Sequence, residues 1–271
     1  EPAYEGHNQP RVPLNENYYS LDCADSIRWQ ASLAREYGIY GFGIYHYWFS
    51  SNQQLLQKPA ELLLQNKDID INFMFIWDNL TWKHTWSKLS RGLDWAPNYD
   101  KSTEDLENID SGILAELVYG TEDDWKKHYN YLLPFFKDER YIKKDNRPVF
   151  SIFQPRNDIE TLKKMTIYWN ELAKKDGFDG IYFLSKDSVW PERLEGKMKY
   201  APFAPTSWSI FMEYKIKEFF AKKKKRIGFY DYDKCWKNIL TDAKKAPRDT
   251  YLCGFVRYDD SPRRGSKARI I

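Results

Sequence analysis

The sequence predicts an α/β fold of the βα (TIM-type) barrel kind, with six of its eight strands apparent. Three observations point there. Six apolar runs of strand length are separated from one another by helical patterning, which argues for parallel strands joined by crossovers. The 271 residues suffice for one such domain with a sizeable core. No Gly-x-Gly-x-x-Gly follows any strand and no Gly-Lys-Ser/Thr loop is present, so nucleotide-binding open sheets lose support.

The elements follow in order. Residues 24–37 place Ile27, Ala31, Ala34 and Tyr37 at helical spacing, and Gly38 stands where a helix C-terminus favours glycine. GFGIYHYWF (41–49) reads as a buried strand, residues 53–65 as a helix, and IDINFMFIW (69–77) as the next strand. The connection over 78–121 is far longer than usual and reads as a functional loop or a small insertion. Thr121 is the expected N-cap of the helix behind it, with acids in the first turn. RPVFSIF (147–153) is a strand, about 157–175 a helix ending at an Asp-Gly pair, and GIYFLS (180–185) a strand. A weaker strand at 199–204, helices at about 209–225 and 234–245, and a strand at 251–258 complete the predicted single domain over 1–271.

Composition narrows the partners. Lys+Arg 42 against Asp+Glu 39 leaves no global basic field, so no nucleic acid partner is expected. The basic run KKKKR at 222–226 reads as a solvated helix end. No apolar run approaches the roughly 20 residues of a membrane span. Cys23, Cys235 and Cys253 are sparse, odd in number and without metal-ligand spacing, which reads as reduced thiols in a cytoplasmic protein. No metal and no cofactor are expected. Eleven Trp, 20 Tyr and 16 Phe make 17% of the chain, more than a core needs. Such flat amphipathic rings stack on sugar faces.

In a barrel the site lies at the C-terminal ends of the strands. The residues there are Tyr45, His46, Tyr47 and Trp48, then Trp77, Asp78, Asn79 and Trp82, then Gln154 and Arg156, then Ser185, Lys186 and Asp187, and last Arg257, Tyr258, Asp259 and Asp260. Rings, amides and carboxylates together form the inventory of a carbohydrate site. Each has a structural reading as well: His46 as a core histidine, Asp78 as a turn cap, Asp259 and Asp260 as a turn paired with Arg263 or Arg264.

GHNQPRVP (6–13), EYGIYGFGIYHYWF (36–49), LLQKP and NKDIDINFMFIWDN within 55–79, the block 119–155 and YDDSPRRG (258–265) resemble, in order, the WbsX-type glycosyltransferases. Members of that family are associated with bacterial surface polysaccharide clusters, including lipopolysaccharide, and it is similar to the endo-α-mannosidase glycoside hydrolases. The resemblance implies a βα barrel, a glycan or polysaccharide substrate and, for transfer, a sugar donor.

The departures are specific. The family's leading strand with Tyr-Leu-Pro-Gln-Phe-His and its trailing Asn-Glu-Trp-any-Glu-Gly are not found here, so the expectation is a barrel lacking its first and last strands, part of a longer protein. In the related mannosidases the two glutamates of that trailing motif are the acid and base candidates. The family's Trp-Ala-Asn-Glu-Asn-Trp is Trp77, Asp78, Asn79, Leu80, Thr81 and Trp82, and its Asp-Asn at the last strand is Asp259-Asp260. Glycosidic chemistry needs one carboxylic acid and one carboxylate in contrasting environments. Within this chain Asp78 and Asp259 are the catalytic candidates. Substrate binding falls to Tyr45, His46, Tyr47, Trp48, Trp77, Asn79, Trp82, Gln154, Tyr258, Asp260 and Arg263. Three classes stay open: an enzyme making or cleaving glycosidic bonds, a catalytically impaired glycan-binding protein, and a metabolic barrel acting outside carbohydrates.

Overall fold

A computed structural model describes residues 15, 17–83, 113–155, 158–186, 195–199, 212, 215, 216, 219, 228–260 and 269–271. Its elements are α1 (Ala24–Glu36), β1 (Gly41–Ser50), β2 (Gln53–Leu55), α2 (Lys58–Gln65), β3 (Asn72–Trp77), β4 (Trp82–Lys83), β5 (Ile113–Ala115), α3 (Glu122–Lys137), β6 (Lys143–Lys144), β7 (Arg147–Ile152), α4 (Ile159–Lys175), β8 (Tyr182–Lys186), β9 (Gly196–Lys199), β10 (Gly228–Phe229), α5 (Tyr232–Ala243), β11 (Thr250–Leu252) and β12 (Arg269–Ile270). This is a mixed α/β fold with a mostly parallel central sheet. The chain divides into two compact units, a larger one of Leu14–Thr81 with Ala115–Lys197 and a second of Glu1–Pro13, Trp82–Leu114 and Met198–Ile271.

In the larger unit the sheet runs β9-β8-β7-β3-β1-β2, with β6 paired to β7. The ladders joining β1, β3, β7 and β8 are parallel, with Tyr45 opposite Ile76, Ile76 opposite Ser151 and Ser151 opposite Leu184. Period-two alternation then sorts the side chains. One face carries Trp48, Phe73, Phe75, Trp77, Phe150, Ile152 and Phe183, all in a core with Ile27 and Ala31 of α1, Leu63 of α2, Leu132 and Phe135 of α3 and Trp169 of α4. Each such ring or aliphatic chain, once fully buried, contributes about 1.5–3 kcal/mol. The helices therefore cover that face, and the opposite face carries Tyr45, Tyr47, Asp78, Phe153 and Lys186.

The helix ends follow the local chemistry. Gly38, at φ 73, closes α1 as the amides of Gly38 and Ile39 donate to the carbonyls of Arg35 and Ala34. Gly177, at φ 93, closes α4 in the same way on Lys174 and Ala173. At the start of α3 the backbone N–H and hydroxyl of Thr121 both donate to the Asp124 carboxylate, at 2.9 and 3.1 Å. Gly120 has φ 67, and a Cβ there would collide with that carboxylate. Gly120→Ala is expected to cost about 1–2 kcal/mol through the left-handed backbone and the displaced cap, read as a lower thermal midpoint.

Two hairpins depart from the sequence expectation. The helix expected over 53–65 starts only at Lys58, because Gln53–Leu55 folds back antiparallel on β1. Lys143–Lys144 pairs antiparallel with β7 through Asp145 and Asn146, both at positive φ, as a two-residue hairpin turn requires. The connection over 78–121 leaves and returns through the paired strands β4 and β5. Its ends are tied where the Leu117 amide donates to Thr81 Oγ1 at 3.0 Å and the Val118 amide to Phe49 O at 2.7 Å. Its interior, 84–112, lies outside the described residues.

In the second unit β10 and β12 pair in parallel, and Asp231 caps α5 by accepting from the Lys234 amide at 2.7 Å. The strand expected over 251–258 is only Thr250–Leu252, after which Phe255 stacks on Trp236 at 5.7 Å. The strand expected at 199–204 meets β9 only at Lys199, and residues 200–204 lie outside the described residues. Of the helix expected over 209–225, residues 212, 215, 216 and 219 are described, and all are helical. No helix among the described residues is long and apolar enough to cross a membrane.

Candidate functional site

The register sets His46 beside Trp77, Trp77 beside Ile152 and Ile152 beside Ser185. One residue further along each strand, on the face away from the helices, comes the row Tyr47, Asp78, Phe153 and Lys186. Tyr45 and Tyr47 stack at 6.1 Å, Phe153 meets Tyr45 edge-on at 6.0 Å, and the Lys186 ammonium lies over the Phe153 ring at 4.2 Å. The row is thus a carboxylate and a cation set among three rings. Tyr45 is 40% exposed, so one ring of the group is open to a ligand.

Asp78 is half-buried, and its Oδ1 has no hydrogen-bond partner among the described residues. Burial pushes its carboxyl up to about 6, and the Lys186 charge pulls the other way. A carboxyl poised there both gives and takes a proton near neutral pH.

Asn79 sits directly behind it and is fully buried. Its Nδ2 donates to Gln154 O at 2.7 Å and to Tyr119 Oη at 2.9 Å, while its Oδ1 accepts from the Gln154 amide at 2.7 Å. The side chain thereby extends the sheet pairing by one step past the end of β3, and fixes the turn on which Asp78 stands. Burial pushes Tyr119 up to about 12, so its hydroxyl stays protonated while it accepts from Asn79. Asn79→Ala is expected to destabilise by about 1–3 kcal/mol, since the half-buried backbone groups of Gln154 lose their partners. Urea unfolding of the variant checks this.

Other residues named from the sequence lie elsewhere. His46, Trp48 and Trp77 belong to the helix-facing side. There His46 Nε2 lies 2.8 Å from His128 Nε2, and Trp48 stacks on His128 at 4.4 Å. Burial pushes His46 down to about 3 and His128 well below its ordinary value. Both imidazoles are neutral, one Nε2 donating and the other accepting. Trp77 Nε1 donates to Trp48 O at 3.0 Å. Gln154 is held through its backbone by Asn79.

In the second unit Trp82 is half-buried on β4, and Asp259 is exposed and bridges Ile270. Asp260 is buried, where it accepts from the Arg269 amide at 2.6 Å and from Tyr258 Oη at 3.3 Å. Arg263, Arg156 and Asp187 lie outside the described residues. The structure brings Asp78 together with Tyr45, Tyr47 and Lys186, all strand-end residues named from the sequence, and it adds Phe153 to the group. Aligning the parallel strands at their C-terminal ends would have found Phe153; Tyr119, which holds Asn79 behind the row, gives no local signal.

Fold and strand ends together define a parallel α/β protein whose reactive groups, a poised carboxylate and a ring-seated cation, stand where parallel strands finish. Comparison with known proteins makes this more particular. The whole chain, residues 1–271, matches the family described as Glycosyltransferase WbsX, and it belongs to that family. It is 24% identical over 280 residues to the "Uncharacterized protein WxcX" of Xanthomonas campestris pv. campestris strain B100, covering 99% of this chain and 35% of that protein. The WxcX protein of strain ATCC 33913 matches at 24% over 283 residues, with the same coverage. The chain thus spans about a third of the length of these curated relatives. Among solved structures, a "Glycoside hydrolase-like protein" aligns with TM-score 0.42 and 12% identity, covering 81% of this chain and 64% of that one.

Proposed function

We infer that the larger unit carries the glycan site of an enzyme that makes or cleaves glycosidic bonds in bacterial surface polysaccharide metabolism. The observation that carries this reading is Asp78, a half-buried carboxyl near 6 beside stacked tyrosines at the end of a parallel strand. Tyr45 and Tyr47 supply the platform for a sugar face, and Asp78 the proton transfer. Family membership supports a glycan substrate, with a sugar donor where the reaction is transfer.

The fold is read as part of a βα barrel over the single domain 1–271. In its support, β1, β3, β7, β8 and β9 adjoin in chain order without the reversal that marks a doubly wound sheet. Asp259 and the other strand-end residues named from the sequence, Arg263 included, belong to the proposal and are tested one at a time. A cytoplasmic location goes with it, supported by the sparse, odd-numbered set of cysteines, Cys23, Cys235 and Cys253.

A second reading, a glycan-binding protein without turnover, is favoured by Leu80, which stands where the family pattern has glutamate. The test uses the full-length protein with polysaccharide acceptors, with and without sugar donors. Donor-dependent product identifies transfer, and product with water alone identifies hydrolysis. Wild-type turnover in Asp78→Asn removes Asp78 from the mechanism, and glycan binding without turnover in the unmodified protein selects the second reading.

A further inference from the structure

The strand-end row holds one cation that the proposed chemistry has not used. Lys186 closes β8 in the same row as Asp78, with Phe153 of the intervening strand end between them. Its ammonium is seated on the Phe153 ring at 4.2 Å, a contact that gains strength as water is excluded and that fixes where the charge stands. Asp78 Oδ1 accepts no hydrogen bond among the described residues, so no donor there neutralises its charge locally.

Among the described residues on this face, β1 presents Tyr45 and Tyr47, and β7 presents Ser151 and Phe153. A half-buried carboxyl in such company favours its neutral form, because burial penalises charge. A nearby fixed cation opposes that penalty and keeps a fraction ionised to act as base or nucleophile.

We propose that Lys186 is a positioning residue of this site, the built-in counter-charge that decides when the Asp78 carboxylate becomes anionic. The inference rests on the reading of Asp78 as the proton-transfer group, yet it is tested without any glycan. The full-length protein is melted between pH 4 and pH 8, with and without Asp78→Asn, in three backgrounds: unmodified, Lys186→Met and Lys186→Arg.

In the unmodified background the Asp78→Asn protein becomes progressively the more stable of the two as pH rises through the range in which Asp78 ionises, and the gap then levels off. With Lys186→Met the gap keeps widening to higher pH and levels off larger. With Lys186→Arg it returns close to the unmodified curve. A gap that levels off at the same pH and the same size in Lys186→Met overturns the proposal, as does a failure of arginine to restore it. Should Lys186→Met not fold, Lys186→Gln replaces it with the same expected outcome. Absence of glycan turnover defeats the functional reading alone, since the melting curves never involve a glycan.

Discussion

Arg140→Ala is expected to destabilise the larger unit by about 3–5 kcal/mol, the cost of stripping one partner from a buried ion pair. The guanidinium is 13% exposed and uses all five of its N–H groups. Nε and Nη2 hold the Asp138 carboxylate at 3.0 and 2.9 Å, Nη1 reaches Asn66 O and Ile69 O at 2.9 Å, and Nη2 also reaches Leu63 O at 2.7 Å. Arg140 thus binds the end of α2 and the approach to β3 to a carboxylate whose side chain is 2% exposed. Lysine, with a point charge and no planar fork, cannot reproduce five directed bonds, so Arg140→Lys is expected to recover little.

The pH dependence has a definite sign. Burial raises the Asp138 carboxyl, but hydrogen bonds from Arg140 and Lys67 outweigh it and hold the group well below the ordinary carboxylate range. A depressed folded-state value contributes stability that is complete above the unfolded-state value near 3.9 and is lost as pH falls below it. The difference between wild type and Arg140→Ala is therefore largest at neutral pH and narrows on acidification. Urea midpoints at pH 7 and pH 3 check both statements.

Asp78→Asn is expected to lower turnover by about 10²–10⁴-fold while raising stability at pH 8. The second effect follows from the same environment as the first. With its folded-state value raised to about 6, Asp78 is most favourable when neutral. Its contribution is fully present below pH 4 and is lost as pH rises through 6. The asparagine variant escapes that loss. After allowance for solvent screening of a partly exposed group, the gain at pH 8 is about 1–2 kcal/mol. An assay that found activity and stability falling together would place Asp78 among structural residues.

Local pattern made part of this legible. The spacing of Ile27 and Ala31, the glycines at 38 and 177 and the apolar runs of β1, β3, β7 and β8 each encode their own geometry within a few residues. The antiparallel returns at Gln53–Leu55 and Lys143–Lys144 do not, because short polar stretches become strands only when a longer strand is there to pair with; the Asp145-Asn146 turn was the one local clue. At the site, Asp78 stood out as a charge directly after an apolar strand. Asn79 stood out equally, but its partner Gln154 is 75 residues away, and only the folded sheet reveals that its amide is committed to backbone. His46, Trp48 and Trp77 read like strand-end neighbours of Tyr45 and Asp78 because adjacent letters alternate faces, and the choice of face belongs to the helices packed behind.

The Arg140 clamp and the Asp78 row stand at opposite ends of β3, whose six residues span about 20 Å. The strand therefore joins an anchored end to a charged, ring-lined end through an apolar rod of fixed length. Substitutions at the Asp78 end change charge and ring stacking far from the Arg140 anchor that holds the sheet to its helices, so they carry little folding penalty along this axis.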